Sequence, residues 1–132
     1  MKSMKDYCDY DTCVALKELG YIGQGRCYYD LDKEPNKLRR FGIQVLTTRS
    51  AEALNFILAI HLYDAQKWLR EEKGIIVDVF VDDDSDTPIT YNIYKDGKCV
   101  CHHHEKYWSV KEWSEALLEG IKEAIKLLQE EK

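Results

Sequence analysis

The segment of residues 63–82 joins a helix pattern directly to a strand pattern, and it constrains the fold more than any other stretch. Trp68 and Leu69 follow Ala65 at three and four residues, which gives a helix one apolar face. Gly74 follows, and glycine most easily adopts the left-handed conformation that ends a helix. The sequence therefore predicts a helix that stops at Gly74 and a strand that begins at the next residue.

The predicted strand, residues 75–82, alternates between two kinds of side chain. One face is aliphatic and the other is mixed: the first carries Ile75, Val77, Val79 and Val81, and the second carries Ile76, Asp78, Phe80 and Asp82. An aliphatic face has to meet a core, whereas a mixed face tolerates water. This combination is typical of an antiparallel sheet that helices cover on one side.

Composition indicates a globular chain, which we interpret as a single domain over residues 1–132. Apolar residues make up 45% and charged residues 33%, too apolar for a disordered chain. The net charge of −5 disfavours a nucleic-acid partner, because phosphate binding needs a basic surface. We find no apolar run of the roughly 20 residues that span a membrane. With no secretion signal at the start, we interpret the five cysteines as reduced thiols of a cytoplasmic protein.

The first half of the chain predicts one helix and one hairpin. The helix runs from Tyr10 to Leu19, with Asp9 as its N-cap and Gly20 as its stop. Two alternating runs, residues 26–31 and 38–46, predict a hairpin with a longer loop. The inner face of the second run is predicted to hold Phe41, Ile43 and Val45.

The middle of the chain leaves two alternatives. A helical stripe continues through Leu54, Leu58, Leu62, Ala65 and Leu69. It predicts one long helix from Ser50 to Lys73, although residues 56–60 are apolar on every side. The alternative is a break near His61 and a new helix after it. We predict the continuous helix.

The second half predicts a hairpin and a final helix. Asp96-Gly97 favours a two-residue type I′ turn, which sets Ile93 opposite Val100 and Tyr91 opposite His102. Ser109 and Glu112 match a capping box that starts the helix. The core stripe of this helix comprises Trp113, Leu117, Ile121 and Leu128, which we expect to pack on the aliphatic face of residues 75–81.

The resulting order is α-β-β-α-β-β-β-α, which defines an α+β fold. The simplest architecture is a two-layer sandwich, with an antiparallel sheet of about five strands and three helices on one face.

Three stretches resemble a group of small uncharacterised proteins carried by phages and mobile elements of gut bacteria. They are YCDYDTCVALKELGY at 7–21, LYDAQKWLREEKGI at 62–75, and the helix from Trp113 to Leu128. These are helix-packing motifs, so the resemblance implies a common fold and context and no particular activity.

The segment CVCHHH, residues 99–104, contains the most candidate metal ligands. In a strand, Cys99, Cys101 and His103 share one face, while Val100, His102 and His104 share the other. Thiolate and imidazole suit Zn²⁺, with further ligands supplied by Cys27 or His61. We favour an ordinary strand end with solvated histidines, and a zinc site on either face is the alternative.

No motif supports a catalytic nucleophile, and we interpret Lys37, Arg39 and Arg40 as a hairpin rim. Tyrosines lie on or beside the predicted strands, which suits either half-buried sheet positions or a protein interface: Tyr28, Tyr91, Tyr94 and Tyr107. The predicted function is a non-enzymatic interaction or accessory module, encoded by a phage and acting on a protein partner. The alternatives are a small metal-binding protein and a small-molecule-binding domain.

The apolar segment of residues 53–63 also predicts self-association. A helix that is apolar all round exposes a surplus face, and large exposed apolar surfaces mark interfaces. We therefore predict a homodimer whose interface includes Phe56, Ile57 and Ile60.

Overall fold

The computed structural model describes residues 6–34, 36–42, 44–81, 89–102 and 113–130. The chain divides into two compact units, Met1–His61 and Leu62–Lys132. The single domain over residues 1–132 stays a prediction.

The first unit holds two short helices and five short strands in its described residues. They are α1 (Tyr10–Glu18), β1 (Gln24–Gly25), β2 (Cys27–Asp30), β3 (Arg39–Arg40), β4 (Leu46–Thr47), α2 (Thr48–Ala53) and β5 (Phe56–Leu58). Strands β3, β2 and β5 form one antiparallel sheet in that order, and β1 pairs with β4. The predicted hairpin is confirmed, because Cys27 pairs with Arg40 and Tyr28 with Arg39. Its inner face is not as predicted, since Phe41 is only half-buried and Val45 is 48% exposed, while Ile43 lies outside the described residues.

Helix α1 begins at Tyr10, as predicted, and ends at Glu18, one residue before the predicted Leu19. The Asp9 side chain accepts a hydrogen bond from the Thr12 backbone N–H at 2.9 Å, and Gly20 has a φ of 104°. Cys8 and Cys13 occupy the positions of a hydrophobic staple, and both are fully buried. The staple fixes the direction in which the chain enters the helix.

The predicted continuous helix over residues 50–73 is wrong. Thr47 and Ser50 form a capping box that starts α2, which ends after six residues at Ala53. Asn55 then adopts a φ of 60°, a left-handed conformation that breaks any helix. The apolar run that follows becomes strand β5, and residues 57–60 are each at most 5% exposed. A short run of consecutive apolar residues is compatible with a buried strand as well as with a buried helix. Here the run forms a strand inside the first unit.

The second unit holds two helices and a three-stranded sheet in its described residues. They are α3 (Leu62–Lys73), β6 (Ile75–Val81), β7 (Ile89–Lys95), β8 (Lys98–His102) and α4 (Trp113–Glu130). The sheet is antiparallel in the order β6-β7-β8. Its alternation is as predicted, because Ile75, Val77 and Val79 are buried while Ile76 is 44% exposed.

The turn between β7 and β8 is confirmed, and the register changes only beyond the first two pairs. Asp96 and Gly97 have φ values of 52° and 82°, as a type I′ turn requires. Lys98 pairs with Lys95 and Cys99 with Tyr94, as the turn dictates, and a β-bulge then shifts the ladder so that Cys101 pairs with Ile93. Two predicted pairs are therefore wrong: Val100 does not lie opposite Ile93, and His102 pairs with Asn92 instead of Tyr91.

Helix α4 packs on β6 and β7 with part of the predicted stripe. Leu117 and Ile121 are fully buried as expected, whereas Trp113 and Leu128 are only half-buried. Gly120 lies between the two buried side chains, and a Cβ there would meet the Cγ1 atom of Val77. The helix therefore approaches the sheet as closely as a residue without a side chain permits. The predicted capping box at 109 and 112 lies outside the described residues.

The α+β class is confirmed, and the single five-stranded sheet is not. The described strands fall into three small antiparallel sheets, and four helices accompany them. The order differs because the middle segment contributes a strand between two helices and because β1 and β4 form a separate ribbon.

Candidate protein-interaction surface

The sheet β3-β2-β5 presents two different faces because side chains alternate along β2. Tyr29 points towards α1, since its hydroxyl donates to the Cys8 carbonyl oxygen at 2.7 Å and its ring contacts Tyr10 edge-on. Tyr28, the preceding residue, therefore lies on the opposite face. The sequence CYYD thus places one tyrosine in the core and offers the other to the outer face.

Three aromatic rings form a cluster on this outer face. Tyr28 stacks on Phe56 with ring centroids 4.1 Å apart and an interplanar angle of 20°. Phe41 contacts both edge-on, with centroids 6.1 Å from Tyr28 and 6.4 Å from Phe56. All three side chains are half-buried, while Leu58, directly opposite Tyr28, is 5% exposed. The rings therefore cover an apolar floor and still reach the surface.

Arg39 lies beside these rings, paired with Tyr28 across the two strands and on the same face. Its side chain is half-buried, and its Nε atom is fully buried with no hydrogen-bond acceptor among the described residues. Buried donors are almost always satisfied, so an orphan Nε–H requires an explanation. We name the four residues Tyr28, Arg39, Phe41 and Phe56 the ring surface.

Charge is unevenly distributed around the ring surface. Arg26 and Arg40 are exposed at one end of the sheet, where the Phe41 N–H donates to the Arg26 carbonyl oxygen at 2.6 Å. Lys37 is also exposed, but it precedes β3 and so lies towards the opposite end. The carboxylates of Asp30 and Asp32 lie at the other end of β2, where both already accept hydrogen bonds. The buried Asp30 accepts from the Asp32 N–H, and Asp32 accepts from the Asn55 side chain, both at 2.9 Å.

The opposite face of the same sheet carries a group of thiols and phenols. The Cys27 thiol donates to the Tyr7 hydroxyl at 3.5 Å, and the Cys13 thiol donates to the Cys8 carbonyl at the same distance. Cys13 Sγ also accepts from the Ile60 N–H at 3.4 Å. These contacts join α1 to the segment after β5.

The pKa shifts in this group favour the neutral forms. Burial, together with the hydrogen bond to Cys27, raises the pKa of Tyr7 to about 12. The contact with Cys13 and burial raise the pKa of the Cys8 thiol well above its usual range, and burial likewise raises the pKa of Tyr29. An activated nucleophile requires a lowered pKa, so this arrangement is suited to structure and not to nucleophilic catalysis.

The structure does not assemble the predicted zinc ligands in its described part. Cys99 is exposed, and the bulge between it and Cys101 interrupts the regular alternation on which the shared face depended. His103 and His104 lie outside the described residues. Across the described ranges, no three His, Cys, Asp or Glu residues are placed to hold a metal ion. The zinc site stays a prediction.

The predicted interface residues separate into two environments. Ile57 and Ile60 are 5% and 3% exposed within the first unit, whereas Phe56 belongs to the ring surface. The surplus apolar helix that motivated the homodimer is absent from the described residues, since this segment is a buried strand. The homodimer itself stays a prediction.

Sequence reasoning found Phe56 and noted Tyr28, but it missed the ring surface as a unit. The rings come from two strands and the end of a third, and their contacts depend on the pairing of Asp30 with Phe56, which makes Tyr28 and Phe56 diagonal neighbours. The adjacent Arg39, Arg40 and Phe41 were the available signal, because arginine and aromatic residues together are enriched at interfaces.

Comparison with family models, with curated proteins and with solved structures found no match. None of the helices in the described part of the chain is long and apolar enough to cross a membrane.

Proposed function

We propose that this chain is a non-enzymatic protein-interaction module that binds a partner protein through the ring surface. The observation that supports this proposal most is the half-buried cluster of three rings with an adjacent arginine on the outer face of a sheet. Aromatic residues and arginine carry most binding energy at protein interfaces.

The cluster is also preorganised for binding. Each ring contacts the other two, and the strands beneath fix their backbones. Side chains that are already ordered lose little conformational entropy when a partner covers them, so more of the contact energy contributes to affinity. This is the physical advantage of a ring cluster over the isolated exposed side chains elsewhere on the chain.

The cellular context of the proposal comes from the resemblance of the helical motifs. It is that of an accessory factor, encoded by a phage or mobile element, that acts on a host protein in the cytoplasm. Cys8, Cys13, Cys27 and Cys99 are free thiols, which suits a reducing compartment.

Affinity capture with matched variants tests the proposal. We expect the wild-type chain to retain a stoichiometric partner from a gut-bacterial lysate, and Phe41→Ala to lose it. Ile76→Ala is the control, because Ile76 is 44% exposed on the sheet of the second unit and should leave binding unchanged. Circular dichroism checks that both variants fold. Equal retention by wild type and Phe41→Ala would contradict the proposal, as would the absence of any stoichiometric partner.

A further inference from the structure

We infer that the ring surface binds an acidic, extended segment of its partner, with Arg39 as the residue that receives a carboxylate. This inference rests on the proposed function and adds the chemical class of the ligand. It follows from three features: the half-buried guanidinium group beside the rings, the position of the charges, and the edge strand of the sheet.

The first feature is the half-buried guanidinium group of Arg39. This group presents its donors in a planar fork that matches the two oxygens of a carboxylate. The Nε atom itself is fully buried and out of a partner's reach, but the side chain as a whole is only half-buried. A carboxylate on the ring surface would therefore bind the terminal nitrogens, and the rings around it would shield the pair from water.

The second feature is charge complementarity. The chain as a whole has a net charge of −5, yet the end of the sheet next to Phe41 exposes Arg26 and Arg40. Asp30 and Asp32, which lie at the other end, already accept hydrogen bonds from this unit. The local field therefore attracts a negative segment to the rings and repels a basic one.

The third feature is the edge strand. Strand β3, which carries Arg39 and Arg40, is the outermost strand of the sheet β3-β2-β5. An extended peptide adds to such an edge through main-chain hydrogen bonds, and alternate side chains then reach the same face. Two neighbouring arginines oppose pairing between copies of this chain, because like charges would face each other across the new ladder.

A single-stranded nucleic acid is the competing ligand that aromatic and basic residues could attract. Base binding needs free ring faces on which bases stack. Here Tyr28 and Phe56 stack on each other with centroids 4.1 Å apart, and Phe41 closes the cluster edge-on. An apolar or aromatic side chain fits against such a cluster better than a base does, so the observations favour a protein segment.

Fluorescence anisotropy with the full chain tests the inference. The probe is a short labelled peptide in which glutamate alternates with valine and tyrosine. A matched peptide carries glutamine in place of glutamate, and a labelled single-stranded oligonucleotide is the third probe. We expect saturable binding of the acidic peptide alone, weakened by added salt.

Two neighbouring arginines supply matched variants with the same change in net charge. Arg39→Gln should weaken binding of the acidic peptide by about tenfold or more, because a hydrogen-bonded charge pair is lost. Arg40→Gln should weaken it by less than about fivefold, because Arg40 is exposed and pairs with Cys27 on the other face. In NMR spectra, the Arg39 Nε–H resonance should shift when the peptide is added. If Arg39→Gln does not fold, Arg39→Lys keeps the charge without the fork and should show the same tenfold loss.

Several results would overturn the inference. They are equal binding of the glutamine peptide, equal losses for the two arginine variants, saturable binding of the oligonucleotide, or a dimer of this chain that occupies the ring surface. The acidic peptide could fail to bind while the wild-type chain, but not Phe41→Ala, still captures a partner. That result would reject the acidic ligand and leave the proposed function standing. Failure of both experiments would reject both.

Discussion

At the scale of single residues, neighbouring tyrosines on the two faces of β2 have different roles. Tyr29 donates its hydroxyl hydrogen to a buried carbonyl, whereas Tyr28 contributes a ring to the surface. The thiols of Cys13 and Cys27 make hydrogen bonds within the core face. Polar groups on that face stabilise the first unit because they satisfy buried partners.

Tyr7 predicts a pH dependence of stability that a single substitution can test. Its pKa of about 12 in the folded chain exceeds the value of about 10 expected in the unfolded chain. Its contribution to stability is therefore complete below pH of about 10 and is lost as the pH rises through about 12. We expect the free energy of unfolding of Tyr7→Phe to fall less steeply than that of wild type over this interval. Identical slopes in urea titrations would show that Tyr7 is not protected in the folded chain.

At the scale of elements, the contact of α4 with the sheet depends on Gly120. A Cβ at this position would meet Val77 and approach the Tyr91 ring to 3.3 Å. Gly120→Ala should lower the free energy of unfolding by about 1 kcal/mol, since overpacking outweighs the gain in helix propensity. Lys126→Ala, at an exposed position of the same helix, is the control and should have little effect.

A double variant shows whether the cost arises from this one contact. Val77→Ala removes the methyl group that the new Cβ would meet, so the two substitutions together should cost less than the sum of the single ones, by about 0.5 kcal/mol or more. Additive costs in urea unfolding would mean that α4 has room to move away from the sheet.

The elements also show which features could be predicted from the sequence. The alternation of Ile75, Val77 and Val79, the Asp96-Gly97 turn and the Asp9 cap are local patterns, and the structure confirms each of them. The split of residues 50–73 was not predictable from periodicity, because Leu54 and Leu58 match a helix although they flank the left-handed Asn55. The bulge opposite Ile93 and Tyr94 was equally hidden, since no residue type marks it.

At the scale of the whole molecule, an acidic chain carries a local basic and aromatic surface on its first unit. The net charge of −5 predicts repulsion of acidic partners at long range, while Arg26, Arg39 and Arg40 predict a positive field near the rings. The ring surface could not be predicted as a site because its residues lie in three separate stretches of the sequence. Only the pairing register of three strands brings them together.

The central claim is that a partner protein binds the ring surface. Photo-crosslinking tests it most directly: a photoreactive phenylalanine analogue replaces Phe41 in one chain and Ile76 in another, and each is irradiated in a gut-bacterial lysate. We predict one dominant covalent adduct from position 41, suppressed by the additional change Arg39→Gln, and none from position 76. An adduct from position 76 alone, or equal adducts from both positions, would contradict the claim.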